Sequence, residues 1–263
     1  MLLKMPRRFG LKFSRFQPLK DKRSLMKLFP LSLMGVLAKV MTYWSYDRVP
    51  VAMTHTAKAS SPLFNVALAY LIYNKRHDRN VYLSLLPIVV GVALASVSEV
   101  HLNDLAFSGV IFAILSSLLG VTASMYSKYL LLQGIVSDSV NLHFYNGAMS
   151  LLINLPTVGY YILLIVGGGG SEVSTDVPVS LLATCSVFQF CGSLASYYIL
   201  SKADELTYSV LGTLKRVVIV MSAMTFFDSN ISFQSFLGSA MAMFGIALYH
   251  AAKRGEVRAV HQS

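Results

Sequence analysis

The chain has 263 residues, of which 55% are hydrophobic and 13% charged, with a formal net charge of +10. A soluble domain carries about 25% charge; here the few charges gather in short clusters between long apolar runs, the layout of a chain whose solvent is mostly lipid. Nucleic acid is not an expected partner, because the basic residues alternate with apolar spans instead of forming one face, and without a CxxC or His/Cys cluster no metal or cofactor is expected.

Residues 1–26 form a basic segment whose first acid is Asp21. It lacks the apolar core of a secretory signal and reads as a cytosolic segment rather than a transit peptide. Apolar runs of the ~20 residues needed to cross a bilayer follow at 27–46, 50–73, 81–99, 105–132, 141–166, 179–201, 205–227 and 232–251. The breaks between them carry turn chemistry: Tyr46-Asp47-Arg48, Asn74 to Asn80, Glu99 to Asp104, Gln133-Gly134, Gly167 to Asp176, Lys202-Ala203-Asp204 and Phe227-Asp228-Ser229. The glycines at 167–170 lack the Gly-Lys-Ser ending of a phosphate loop and read as an outer loop. Cys185 and Cys191 stand on different faces of the sixth run and read as packing residues. The predicted architecture is all-α and polytopic: a segment 1–26, a transmembrane domain 27–252 with eight helices, and a cytosolic tail 253–263.

Charge gives the topology. With alternating spans, one side receives nine Lys and Arg in residues 4–27, then Lys75, Arg76, Arg79, Lys128, Lys202, Lys253, Arg254 and Arg258. The other side receives Arg48 alone, together with Asp47, Glu99, Asp104, Glu172, Asp176 and Asp228. Cytosolic loops are the Lys- and Arg-rich ones, so both termini are expected in the cytosol.

Four cations remain, and all lie within predicted spans: Lys39, Lys58, Lys215 and Arg216. No acid falls clearly inside a span; Glu99 and Asp228 sit at span ends. A cation in mid-span costs about 3 kcal/mol on insertion scales, so these four are expected to face one polar cavity and to take their countercharge from a bound anion. Arg offers a planar fork to two phosphate oxygens and Lys a point charge. Snorkelling to the interface is the competing reading, strongest for Arg216 and Lys39. Polar neighbours suit the same cavity: Thr42 shares a face with Lys39, Thr54 stands four residues before Lys58 with His55 one step round, and Tyr208 lies one turn before Gly212 and the Lys215-Arg216 pair. Thr54 and His55 taken alone read equally well as packing residues.

A faint internal repeat relates Tyr82–Ser96 to Phe233–Tyr249 and pairs Gly91 with Gly245. The same offset brings the Lys58 helix near the Lys215 helix, as in transporters built from repeats.

The segments VPVAMTHTAKASSP (49–62), VYLSLLPIVVGVALASVSE (81–99) and TYSVLGTLKR (207–216) resemble the sugar-phosphate/phosphate translocators of the drug/metabolite transporter superfamily. The resemblance runs from about residue 27 to the C-terminus. It implies an antiporter of ten helices in two inverted halves, with a central site for phosphate or a sugar phosphate. On it, Lys58 matches the first-half lysine, Thr42 the phosphate-facing threonine, and Lys215 with Arg216 the second-half pair. Two departures stand out. The family's plastid members resemble one another in a His near Lys39 and a Tyr near Gly192, both missing here, which favours a Golgi or endomembrane location over the plastid envelope. The first half also holds three predicted helices where the family has five, so the expected fold lacks the first two of ten.

The expected function is exchange of a phosphorylated metabolite for inorganic phosphate across a lipid bilayer, with a homodimer left open. A nucleotide-sugar or other organic-anion carrier is the alternative, followed by a truncated, non-transporting regulatory protein. An enzyme is not expected, because the spans offer no central carboxylate or metal site.

Overall fold

The computed structural model describes residues 22–74, 76–100, 105–166, 178–202, 212, 215, 218–220, 222 and 233–262, and these form helices without a strand among them. α1 spans Lys22–Tyr46, α2 Val51–Ala57, α3 Ser61–Tyr73, α4 Arg79–Val100, α5 Ala106–Leu132, α6 Ser139–Val166, α7 Val179–Lys202 and α8 Phe233–Gln262. Of the predicted span 205–227, only Gly212, Lys215, residues 218–220 and Ser222 are described, all helical. The glycine loop 167–170 lies outside the described residues.

Two predicted boundaries change. The second span is two helices, α2 and α3, joined by a 3-10 turn over Lys58–Ser60. The last span does not stop at 251: α8 continues through the predicted tail to Gln262. That stretch is rich in Ala, Lys, Arg and Glu, which favour helix in water as well as in lipid. α3 ends where the turn signal put it, with Asn74 left-handed at φ 49° and its N–H returned to the Ala69 carbonyl.

Ser24–Tyr46 and Ala106–Leu132 are each long and apolar enough to cross a membrane, and Arg79–Ala95 is a shorter apolar helix. α6 and α7 present Leu151, Leu155, Leu163, Leu182, Val187 and Phe188 on open surface. Such apolar exteriors suit a lipid solvent, in which every backbone N–H and C=O must be satisfied within the helix itself. Cys185 and Cys191, expected in packing, are both exposed on α7; small apolar thiols are as much at home against lipid as in a core.

Two cores hold the bundle. One gathers Met53, Ala57, Ala59, Leu85, Ile88, Val92, Val110, Ile246 and Tyr249 from α2, α4, α5, α8 and the 3-10 turn. The other joins Leu28 and Leu31 of α1 to Leu130 of α5, to Val136 of the α5–α6 connection and to Leu142 in the first turn of α6. α4 and α8, which carry the matched repeat segments, pack against each other. A Cβ on Gly91 would meet the Ala242 backbone, one on Gly238 the Ala95 backbone, and one on Gly245 the Ile88 backbone. Rising numbers on α4 against falling numbers on α8 make the pair antiparallel, and the glycines allow the backbones to touch. At one end of this pair His77 Nδ1 meets Glu256 Oε2 at 2.9 Å, and the Asp78 N–H donates to Glu256 Oε1 at 3.2 Å. The helical extension of α8 is thereby tied to the α3–α4 loop.

Candidate functional site

The site begins with a proline. Pro62 has no N–H to offer the carbonyl four residues back, which belongs to Lys58. At this point α2 gives way to a 3-10 turn before α3, whereas Pro30, Pro87 and Pro156 lie inside unbroken helices. The chain tightens into the 3-10 turn at Lys58–Ser60, with the Ser61 N–H bonding the Lys58 carbonyl. Ser117 Oγ of α5 also donates to that carbonyl, at 3.3 Å. A short 3-10 stretch inside a span commonly marks a functional position, and here its first residue is the intramembrane lysine.

The Lys58 ammonium crosses to α1 and donates to Thr42 Oγ1 at 2.6 Å. Thr42 Oγ1 in turn donates to the Ala38 carbonyl at 2.7 Å and lies 2.8 Å from Ser116 Oγ of α5. Ser116 Oγ donates to the same Ala38 carbonyl at 2.8 Å. Three helices thus meet through one ammonium, two hydroxyls and one carbonyl. Thr42 and Lys58 are half-buried, while Ser116 and Ser117 are buried. The segments α1 to α3 and α5 contain no Asp or Glu, so none of the helices that build this cluster supplies a carboxylate. Hydroxyls solvate an ammonium, and a cation set among them is suited to a transient anion.

Thr54 and His55, the other α2 residues expected at the site, both bond to α1. Thr54 is fully buried and bonds Ser45 Oγ of α1 at 2.8 Å, a clasp between helices one turn from Lys58. His55 Nε2 lies 3.1 Å from the Tyr46 hydroxyl. Lys39 is exposed. Lys215 is helical with an exposed side chain, and Tyr208 and Arg216 lie outside the described residues. The structure thus joins Lys58 to Thr42.

Residues that sequence reasoning passed over also take part. Ser116 and Ser117 stand together in the middle of an apolar run, a polar pair in a span that was the available signal. Ser239 of α8 bonds Thr56 at 2.7 Å. His143, Asn146 and Tyr197 form a further polar group against α1. Among the described residues no group of three or more His, Cys, Asp or Glu could hold a metal ion.

The helices and the basic, hydroxyl-lined site define a polytopic all-α membrane protein with a cation kept inside its bundle. The model of the Triose-phosphate Transporter family matches residues 3–250, and the chain belongs to that family of transporters. It is 35% identical over 240 residues to phosphoenolpyruvate/phosphate translocator 3, chloroplastic, of Oryza sativa subsp. japonica, a match covering 88% of this chain and 59% of the relative. It is 30% identical over 244 residues to the triose phosphate/phosphate translocator, non-green plastid, chloroplastic, of Brassica oleracea var. botrytis (90% and 60%). With glucose-6-phosphate/phosphate translocator 1, chloroplastic, of Arabidopsis thaliana it shares 30% over 233 residues (86% and 58%). The chain spans about three fifths of the length of these relatives.

Proposed function

We propose that the chain is a carrier that exchanges a phosphorylated metabolite for inorganic phosphate. One observation carries the reading: the intramembrane Lys58 opens a 3-10 turn inside a span and donates to the Thr42 hydroxyl of α1 at 2.6 Å, a cation set among hydroxyls. The relatives are translocators of phosphoenolpyruvate, triose phosphate and glucose 6-phosphate against phosphate by name, which supports the same class of cargo. Thr42 and Lys58 form the first-half share of the binding site in this reading, with Lys39 one turn away. Lys215, Arg216 and Tyr208 supply the second-half share, so that the four cations converge on one anion. Thr54 and His55 hold the α1–α2 corner that carries Lys58.

In the same reading the transmembrane domain covers 27–252, both termini are cytosolic, and alternating access turns on the two halves. The Golgi location expected from the two departures near Lys39 and Gly192 finds no support in the relatives, whose names are chloroplastic. We assign the chain to an organellar membrane, the plastid envelope if it follows them; imaging of the tagged chain against organelle markers decides it. The activity is tested in proteoliposomes loaded with labelled phosphate. Efflux driven by external phosphoenolpyruvate, triose phosphate or glucose 6-phosphate, and not by nucleotide sugars, is expected. Efflux driven by nucleotide sugars alone transfers the reading to that class.

A further inference from the structure

The end of the bundle where α1 begins brings together cations, tyrosines and an open apolar cleft. Residues 4–27 carry nine Lys and Arg, and Asp21 is the one acid in residues 1–27. The last three of these cations, Lys22, Arg23 and Lys27, stand in the first two turns of α1, and Lys27 is exposed. Lys22 precedes Leu25 by three residues and Met26 by four, the spacing of positions on one helix face. Leu25, Met26 and Phe29 are 45%, 75% and 46% exposed, and with Met149 of α6 they line an apolar cleft of about 250 Å³. Tyr126 of α5 donates its hydroxyl to the Lys27 carbonyl at 2.9 Å and stacks on the exposed Tyr129. Tyrosines gather at headgroup depth in membrane proteins, so this bond places the start of α1 at the membrane–water boundary. Asp138, the acid of the neighbouring α5–α6 connection, gives its carboxylate to the Asn141 N–H and side-chain amide at 2.8 and 3.0 Å.

We propose that this end of the bundle is a binding site for an anionic phospholipid, whose headgroup phosphate is taken by Lys22, Arg23 and Lys27 and one of whose acyl chains lies along the cleft of Leu25, Met26, Phe29 and Met149. The charges are complementary: a basic cluster beside a span attracts anionic headgroups by about fivefold in affinity for each Lys or Arg. The sidedness expected from charge bias sets this end against the cytosolic leaflet, where anionic lipids concentrate. The cleft wall is apolar and offers a soluble anion nothing to bond, whereas an acyl chain buries it. A lipid supplies both halves of the match in one molecule. The site lies on the outside of α1 and α6, apart from the Thr42–Lys58 cluster, and it stands whatever cargo the chain carries.

The test is native mass spectrometry of the purified full chain in a neutral detergent at one salt concentration, titrated with phosphatidylglycerol or with phosphatidylcholine of the same acyl chains. The wild type is expected to bind phosphatidylglycerol about tenfold or more tighter. Lys22→Gln, Arg23→Gln and Lys27→Gln combined are expected to weaken phosphatidylglycerol by about tenfold to a hundredfold and phosphatidylcholine by less than about twofold. Lys253→Gln, Arg254→Gln and Arg258→Gln combined remove the same charge from α8 and are expected to change either lipid by less than about twofold. Lys27→Gln alone, with an expected loss of about fivefold, stands in if the first combination does not fold. Met149→Trp fills the cleft without touching a charge and is expected to weaken both lipids. Equal binding of the two lipids by the wild type, equal losses from the two combinations, or full binding by Met149→Trp overturns the site and leaves these cations as a mark of sidedness alone. Displacement of the lipid by an equal concentration of glycerol phosphate would give the cations to a soluble anion, and a lipid-free dimer would give the cleft to a second copy of the chain; either result also overturns it.

Discussion

Lys58 gives one of its three ammonium hydrogens to Thr42, so the two residues are expected to fail together. Thr42→Val keeps the shape and removes the acceptor. The lost charge-assisted bond is worth about 1.5 kcal/mol, so phosphate affinity is expected to fall about tenfold at fixed salt. Arg216→Lys keeps a charge and removes the fork and is expected to cost a similar factor. Titration of each purified variant with phosphate checks both; wild-type affinity in both would make these residues scaffold. At this scale the sequence showed that four cations lie in spans without acids, and it placed Thr42 near Lys58 only through family resemblance. That Ser116 joins Thr42 was not legible, because which polar residue of a distant helix faces a given site depends on helix rotation, and apolar runs with a weak amphipathic pattern do not encode it. Thr54 and His55 illustrate the same limit: their contacts with Ser45 and Tyr46 are set by how tightly α1 and α2 fold back.

Among the elements, the α2–α3 break and the α4–α8 contact carry the most information. The run 50–73 is uniformly apolar apart from the Thr, His, Lys and Ser cluster at 54–61, so hydropathy alone reads one span. Pro62 coincides with the break, its missing N–H falling on the Lys58 carbonyl, but Pro30, Pro87 and Pro156 sit inside unbroken helices, so a proline alone does not give the break. The α4–α8 contact was not legible: the repeat matches Gly91 with Gly245 in sequence, whereas in space Gly91 packs on Ala242 and Gly245 on Ile88. Their contact gives a sharp expectation. A Cβ on Gly91 has the Ala242 backbone in its way, and backbone cannot rotate aside as a side chain does. Gly91→Leu is expected to destabilise by about 1–3 kcal/mol and to lower the melting temperature of the detergent-solubilised chain. Gly147→Leu, where nothing lies within 4 Å of the added carbon, is the matched control. Equal melting behaviour of the two variants would mean that α4 and α8 do not pack this closely.

For the whole molecule, the order of the described helices was legible in hydropathy, because bilayer thickness imposes a length on each span. The continuation of α8 to Gln262 was not, since past the apolar run nothing in hydropathy separates a helix from a tail; the tie from Glu256 to His77 marks where it docks. Charge bias gives the sidedness, and the expectation is that tags at the two ends react on the same, cytosolic side of sealed vesicles. Labelling from opposite sides would mean an odd number of spans.

The central claim, that Lys58 in its hydroxyl cluster binds the phosphate that the chain carries, is tested most directly by labelled-phosphate exchange in proteoliposomes at one salt concentration. Three chains are compared: wild type, Lys58→Gln and Lys128→Gln, the last changing a lysine near the far end of α5 from the cluster. The account predicts that wild type and Lys128→Gln exchange phosphate at rates within about a factor of two, and that Lys58→Gln is slower by about tenfold to a hundredfold at subsaturating phosphate. Equal exchange by all three would contradict it.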